Sequence, residues 1–112
     1  MTLEGSLLRT CLDLLAAEHI LAFRMNSGAV KVDKRFFRFG VVGMADILAF
    51  IEEQEFGGIG NIIPLWIEAK SERGKQTPEQ ASFQTLVVEH GHHYIIVHSV
   101  EHLQTWLKNS RS

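Results

Sequence analysis

Two carboxylates and an ammonium form the chain's most reactive grouping: Asp46, Glu68 and Lys70. Glu68 and Lys70 close the stretch Leu65-Trp66-Ile67-Glu68-Ala69-Lys70. Extended residues alternate faces, so both charges project from one face while Ala69 turns away. The run leading into them, from Ile62, is apolar enough for a buried strand. Ending such a strand in two opposite charges is costly unless they pair with each other or hold a metal. Asp46 stands immediately before a second apolar run, Ile47-Leu48-Ala49-Phe50-Ile51. If the two runs are neighbouring strands, two carboxylates and a lysine converge at one sheet edge. That grouping suits a hard cation with an ammonium beside it.

The elements that must position these groups can be read in order. Leu3, Leu7, Leu8, Cys11, Leu14 and Leu15 recur every three or four residues and predict a helix over 3–20. Glu4 falls in its first turn, where the helix dipole favours a carboxylate; the sharper alternative is that it points into the site. A strand is expected over 20–26, with Phe23 and Met25 on one face and Arg24 and Asn26 on the other. Over 30–39, Arg35-Phe36-Phe37-Arg38-Phe39 interleaves basic and aromatic residues, with Phe37 and Phe39 expected inward and Arg38 outward. The pattern suits a strand or hairpin lying over a phosphate backbone, and equally an ordinary amphipathic surface strand. Gly40 and Gly43 form the bend that delivers Asp46.

Strands follow over 47–51 and 62–70, joined by a glycine-containing hairpin connection over 54–61. Pro64 fits an edge or an early strand position better than mid-ladder. After a polar stretch over 71–77, Thr77-Pro78-Glu79-Gln80 reads as a helix start, with Thr77 as N-cap and Pro78 in the first turn. Gln80 then occupies the capping-box position, which competes with any catalytic role for it. This helix runs to about residue 90, burying Phe83, Leu86 and Val87, and Gly91 stops it. A strand over 94–98 and a helix over 100–108, burying Leu103, Trp106 and Leu107, complete the chain. The intervening helix makes a crossover that sets strands 62–70 and 94–98 parallel. The order is helix, a meander of strands, helix, strand, helix: a mixed α/β sandwich with its site at one end of the sheet.

Composition sets limits on this picture. At 112 residues, 46% hydrophobic and 21% charged, the chain makes one globular domain with a core of its own. No apolar run approaches the ~20 residues of a membrane span, and the first residues lack the pattern of a signal peptide. One cysteine, Cys11, allows no internal disulfide, favours a reducing compartment and reads as a core residue. The net charge of −2 does not advertise a nucleic-acid binder, but its distribution is uneven. Arg24, Lys31, Lys34, Arg35 and Arg38 face a single acid, Asp33, and Lys70, Arg73 and Lys75 form a second basic group. Acids gather at Glu52, Glu53 and Glu55, so a basic face on an acidic protein is permitted.

Four pieces together resemble the VRR-NUC branch of the PD-(D/E)XK nuclease superfamily over nearly the whole chain. They are Phe23-Arg24-Met25-Asn26-Ser27-Gly28-Ala29, Gly40-Val41-Val42-Gly43-Met44-Ala45-Asp46, Ile67-Glu68-Ala69-Lys70, and Gly74-Lys75-Gln76-Thr77-Pro78-Glu79-Gln80. Gly91 follows before the last strand. An isolated D…ExK match is weak, but the glycines before the aspartate and the T-P-x-Q after the lysine make this one specific. The departure is Ala45, where the superfamily name expects proline, a residue that shapes the turn and carries no chemistry.

The resemblance implies a restriction-endonuclease-like mixed β-sheet flanked by helices, with an α-βββ-α-β-α core. It implies that Asp46, Glu68 and the Ala69 backbone carbonyl hold Mg2+ or Mn2+, with Glu4 as a further ligand, directly or through water. The ion acts as a Lewis acid on a phosphoryl oxygen and acidifies a bound water. Lys70 orients or helps deprotonate that water, and Gln80 positions Lys70 or the water. Arg24 and Asn26 contact phosphate near the site; Lys31, Lys34, Arg35, Arg38, Arg73 and Lys75 extend the nucleic-acid surface. The implied protein is a homodimeric DNA endonuclease, acting on branched DNA such as four-way junctions, in the cytoplasm of a bacterial or phage-infected cell.

Three other readings remain. His90, His92, His93, His98 and His102 crowd the C-terminal third, but no spacing matches a zinc motif, so they read as solvated or capping residues. A DNA-structure-binding module with weak or partner-dependent nuclease activity is the rival from another class. A sequence-specific restriction-like cutter is disfavoured by the lack of a recognition insert.

Overall fold

A computed structural model describes residues 2–25, 28–32, 35–39, 41–54 and 60–111, with side chains described outside 28–32, 35–39, 54 and 111. The elements in chain order are α1 (Leu3–Ala17), β1 (Ala22–Arg24), β2 (Gly28–Val32), β3 (Arg35–Phe39), β4 (Ile47–Gln54), β5 (Gly60–Ala69), α2 (Pro78–Glu89), β6 (His93–Val97) and α3 (Val100–Arg111). Four strands form the main sheet in the order β1-β4-β5-β6, and β2 and β3 pair separately as a two-stranded hairpin. β1, β4 and β5 are antiparallel neighbours, while β6 lies parallel to β5 after the α2 connection, as expected. The chain is therefore a mixed α/β fold with three helices. The strands do not make a simple meander: the 28–39 segment leaves the main sheet between β1 and β4 and pairs with itself.

The first two helices stop for an identifiable reason. α1 is shorter than the expected 3–20 because His19 adopts a left-handed φ of 58°. The His19 N–H then bonds the Ala16 carbonyl and the Ile20 N–H bonds the Leu15 carbonyl, closing a Schellman turn. Ile20 and Leu15 are both buried in the same cluster. α2 ends in the same motif at Gly91, φ 85°, with His92 bonding back to Val87.

The sheet carries a core on each face. α1 and α3 cover the face that presents Ile47, Ala49, Ile51, Leu65, Ile67, Ala69 and Val97, packed against Leu8, Cys11, Leu15, Leu103 and Leu107. Burial pushes the Cys11 thiol up to about 11, so it remains an un-ionised core residue. On the other face α2 buries Phe83 and Val87 against Trp66, with Phe83 edge-on to the indole at 4.9 Å.

Pro64 lies well inside β5, and strand geometry explains its tolerance. Phe50 donates its N–H to Leu21, the residue just before β1, so Phe50 and its β5 partner Pro64 form a non-hydrogen-bonded pair. The missing N–H of Pro64 faces β6, where pairing begins only at Leu65.

Leu86, expected in the α2 core, is 50% exposed, because it lies about 100° round the helix from Val87, off the Phe83–Val87 line that packs with Trp66. Phe83→Ala should therefore destabilise the fold by about 3–5 kcal/mol, and Leu86→Ala by less than about 0.5 kcal/mol. Urea unfolding of the two variants checks the difference.

Candidate active site

The register Ile47↔Ile67, continued by one step, sets Asp46 opposite Glu68 at the end of the β4–β5 pair. Asp46 reaches this position from a tight turn at Val42–Gly43. Gly43 has φ 83°, and a Cβ added there would lie 2.3 Å from the Glu79 carbonyl oxygen and 2.8 Å from the Gln80 nitrogen. Only glycine lets the loop bearing Asp46 rest directly on the first turn of α2. The Asp46 carboxylate is oriented by the Ala69 N–H, which donates to Oδ2 at 2.9 Å. Because the N–H and carbonyl of a strand residue leave on the same side, the Ala69 carbonyl also points toward Asp46.

Glu68 is the buried charged residue of the site, only 4% exposed. Its Oε2 accepts from Gln80 Nε2 at 3.0 Å and lies 3.5 Å from Lys70 Nζ. Its Oε1 is buried and has no hydrogen-bond partner. Burial, followed by the neighbouring Asp46 charge, raises the Glu68 carboxyl from 4.5 to about 7, with Lys70 pulling the other way. One lysine does not offset two carboxylates at a sheet end, so near neutrality the pair holds a proton or requires another cation.

Gln80 fills the capping-box position and also reaches the site, where its partner is Glu68 rather than Lys70. Its Oε1 accepts from the Thr77 N–H while the Thr77 hydroxyl accepts from the Gln80 N–H, a complete capping box. The same side chain donates from Nε2 to Glu68. Helix α2 is thus capped and attached to the site by one residue.

The remaining candidates are more dispersed. Glu4 accepts from the Ser71 N–H at 3.1 Å and does not join Asp46 and Glu68 in a three-residue metal-holding group among the described residues. Arg24 pairs with Ile47 and so belongs to the α1–α3 face of the sheet, opposite the face bearing Glu68. Arg73 and Lys75 are exposed in the connection that follows Lys70. Lys31 falls in β2, and Arg35 and Arg38 in β3, by backbone only; Asn26 and Lys34 lie outside the described residues, as does Gly40. The inward and outward orientations expected for Phe37, Phe39 and Arg38 fall on side chains outside the described set.

Tyr94 joins this neighbourhood without having been expected there. It pairs with Trp66, two residues before Glu68, and so shares the site's face of the sheet. Its hydroxyl accepts from Gln76 Nε2 at 3.3 Å, and Gln76 also donates to Gln84. Burial raises the phenol above its ordinary value, the Gln76 hydrogen bond opposes this, and the Glu68 and Asp46 charges add to it, so the group stays a neutral hydroxyl. The β5–β6 register places Tyr94 here, and no sequence motif records a register.

The histidines have separate partners. Trp66 Nε1 donates to His92 Nδ1 at 2.9 Å, His93 pairs with Glu53, His98 bonds the Ser71 carbonyl and His90 the Leu86 carbonyl. Among the described residues no group of three or more His, Cys, Asp or Glu could hold a metal. What the site offers is two carboxylates and a main-chain carbonyl, an all-oxygen set. That is the provision typical of Mg2+, which keeps several waters and takes substrate phosphate oxygens for its other positions. The unpartnered Glu68 Oε1 is the specific feature of this structure that fits such an ion. No helix of the described residues is long and apolar enough to cross a membrane. Comparison of the chain with protein-family models, curated proteins and solved structures finds no match.

The raised Glu68 carboxyl has a stability consequence for the metal-free protein. Its folded value lies above the unfolded one, so its contribution is fully present below about 4.5 and is lost as pH rises through about 7. In EDTA, stability should fall by on the order of 3 kcal/mol across that window. Urea unfolding at a series of pH values checks this, and Glu68→Gln should flatten most of the decline.

Proposed function

We propose that this chain is a metal-dependent endonuclease of the VRR-NUC type, hydrolysing DNA phosphodiester bonds. The observation that carries the reading is a buried Glu68 with one oxygen on Lys70 and Gln80 and the other without a partner, facing Asp46 at a strand end. A purely structural ion pair has no reason to add a second carboxylate that raises the cost of the first.

On this reading Asp46, Glu68 Oε1 and the Ala69 carbonyl hold Mg2+ or Mn2+. The bound ion supplies Lewis-acid polarisation of a phosphoryl oxygen and a lowered pKa for an attacking water. The protein's own groups do the rest. The Ala69 N–H fixes the Asp46 carboxylate, and Gln80 fixes the rotamer of Glu68. Lys70, only 11% exposed at its side chain and tethered to Glu68 Oε2, presents its ammonium where charge develops on the phosphoryl group. Tyr94, held neutral, adds a hydroxyl on the same face. Arg73 and Lys75 lie exposed beside Lys70 and suit the flanking phosphates of a DNA backbone. The reading includes a homodimer, because a twofold pair of sites suits paired cuts in a four-way junction.

A panel of linear duplex, single strand, flap and four-way junction, incubated in Mg2+ and in Mn2+, tests the proposal. Wild type should cut the junction in either metal, and Glu68→Ala should lose at least about a hundredfold in rate. Cutting of every substrate would transfer specificity to a partner. Tight junction binding with no cutting by wild type would favour the DNA-structure-binding module instead.

A further inference from the structure

Lys70 is the first residue beyond β5, so the strand ladder does not hold the chain that follows it. Its own N–H bonds the Val97 carbonyl at 3.0 Å. The next residue, Ser71, is gripped at both polar ends of its backbone by side chains from other elements. Glu4 Oε1, from the first turn of α1, accepts the Ser71 N–H at 3.1 Å. His98 Nδ1, just past β6, lies 3.0 Å from the Ser71 carbonyl, so this nitrogen carries the proton and donates. The Gly74 N–H bonds the same carbonyl at 2.9 Å. A Cβ on Gly74 would sit 3.0 Å from Glu4 Oε1 and 3.2 Å from Ser71 Oγ, so the turn closes directly over this grip. The start of α1 does not need Glu4 for capping, since the Thr2 hydroxyl already accepts the Gly5 N–H at 2.9 Å.

We propose that Glu4 and His98 are positioning residues that clamp the Ser71 peptide and thereby fix Lys70, and that Glu4 is not a metal ligand. The inference rests on the nuclease reading and assigns Glu4 a role different from the one the family resemblance implies. An ammonium that must meet a phosphoryl oxygen tolerates displacement of only a fraction of an ångström, and its neighbouring peptide is the nearest point at which the fold can hold it. Glu4, from α1, and His98, from the residue that follows β6, bring two further parts of the chain to bear on that peptide.

Mn2+ binding by calorimetry, junction-cleavage kinetics and amide hydrogen exchange, compared for wild type, Glu4→Ala, Glu4→Gln and Asp46→Ala, test the assignment. Glu4→Ala should bind Mn2+ as wild type does, exchange the Ser71 amide faster, and lose about tenfold or more in kcat with KM unchanged. Glu4→Gln, whose amide oxygen accepts the same N–H, should recover most of that loss. Asp46→Ala should lose Mn2+ affinity outright. If Glu4→Ala weakens Mn2+ binding as Asp46→Ala does, or cleaves like wild type, the clamp is overturned while the nuclease reading stands. If wild type neither binds Mn2+ nor cleaves, the nuclease reading fails and the positioning role fails with it.

Discussion

Taking a carboxylate out of water costs several kcal/mol unless each of its oxygens finds a partner. Glu68 meets this condition at one oxygen only. Lys70 and Gln80 converge on Oε2, Oε1 has nothing, and Asp46 adds a second negative charge opposite. A fold selected only for stability would place an apolar residue at this position, as it does at Ile67 next door. The unsatisfied oxygen makes the arrangement intelligible as a site prepared for a cation, and many of the surrounding contacts serve to keep it in place.

Those contacts come from parts of the chain distant in sequence. β4 delivers Asp46, β5 delivers Glu68 and Lys70, and α2 delivers Gln80. The Gly43 turn rests on the first turn of α2, so the loop carrying one carboxylate and the helix carrying the other's hydrogen-bond donor cannot move independently. The capping box has the same effect inside α2, because the residue that reaches Glu68 also holds the helix start. The large core beneath, between the sheet and α1 and α3, supplies the rigidity that lets one end of the sheet carry unfavourable charge.

Much of this was legible in the residues. The apolar run ending in Glu68-Ala69-Lys70 identified the central strand, Asp46 before its own apolar run identified the neighbour, and Thr77-Pro78 with Gln80 identified the helix start. These are local signals, in which side-chain type and spacing act on the nearest backbone. What escaped depends on tertiary placement. The separate β2–β3 pair, the Gly43 contact with Glu79, the bond from Glu4 to Ser71 and the approach of Tyr94 all join residues far apart in sequence or set a register that no short motif encodes. Gln80 shows the limit well: capping and a place in the site looked like rivals, yet one side chain caps α2 and also bonds Glu68, a partner the sequence did not indicate. Leu86 fell at a helical spacing that fits a core, but it lies about 100° round the helix from Val87, off the Phe83–Val87 line that is buried.

The central claim is that Glu68 Oε1 and Asp46 are arranged around a divalent cation, and anomalous diffraction from crystals grown in Mn2+ tests it most directly. The account predicts a single strong peak within coordination distance of Glu68 Oε1, an Asp46 oxygen and the Ala69 carbonyl, with Lys70 still on Glu68 Oε2. A map with no peak there, or with Mn2+ held elsewhere while Asp46 and Glu68 share a proton, would contradict it.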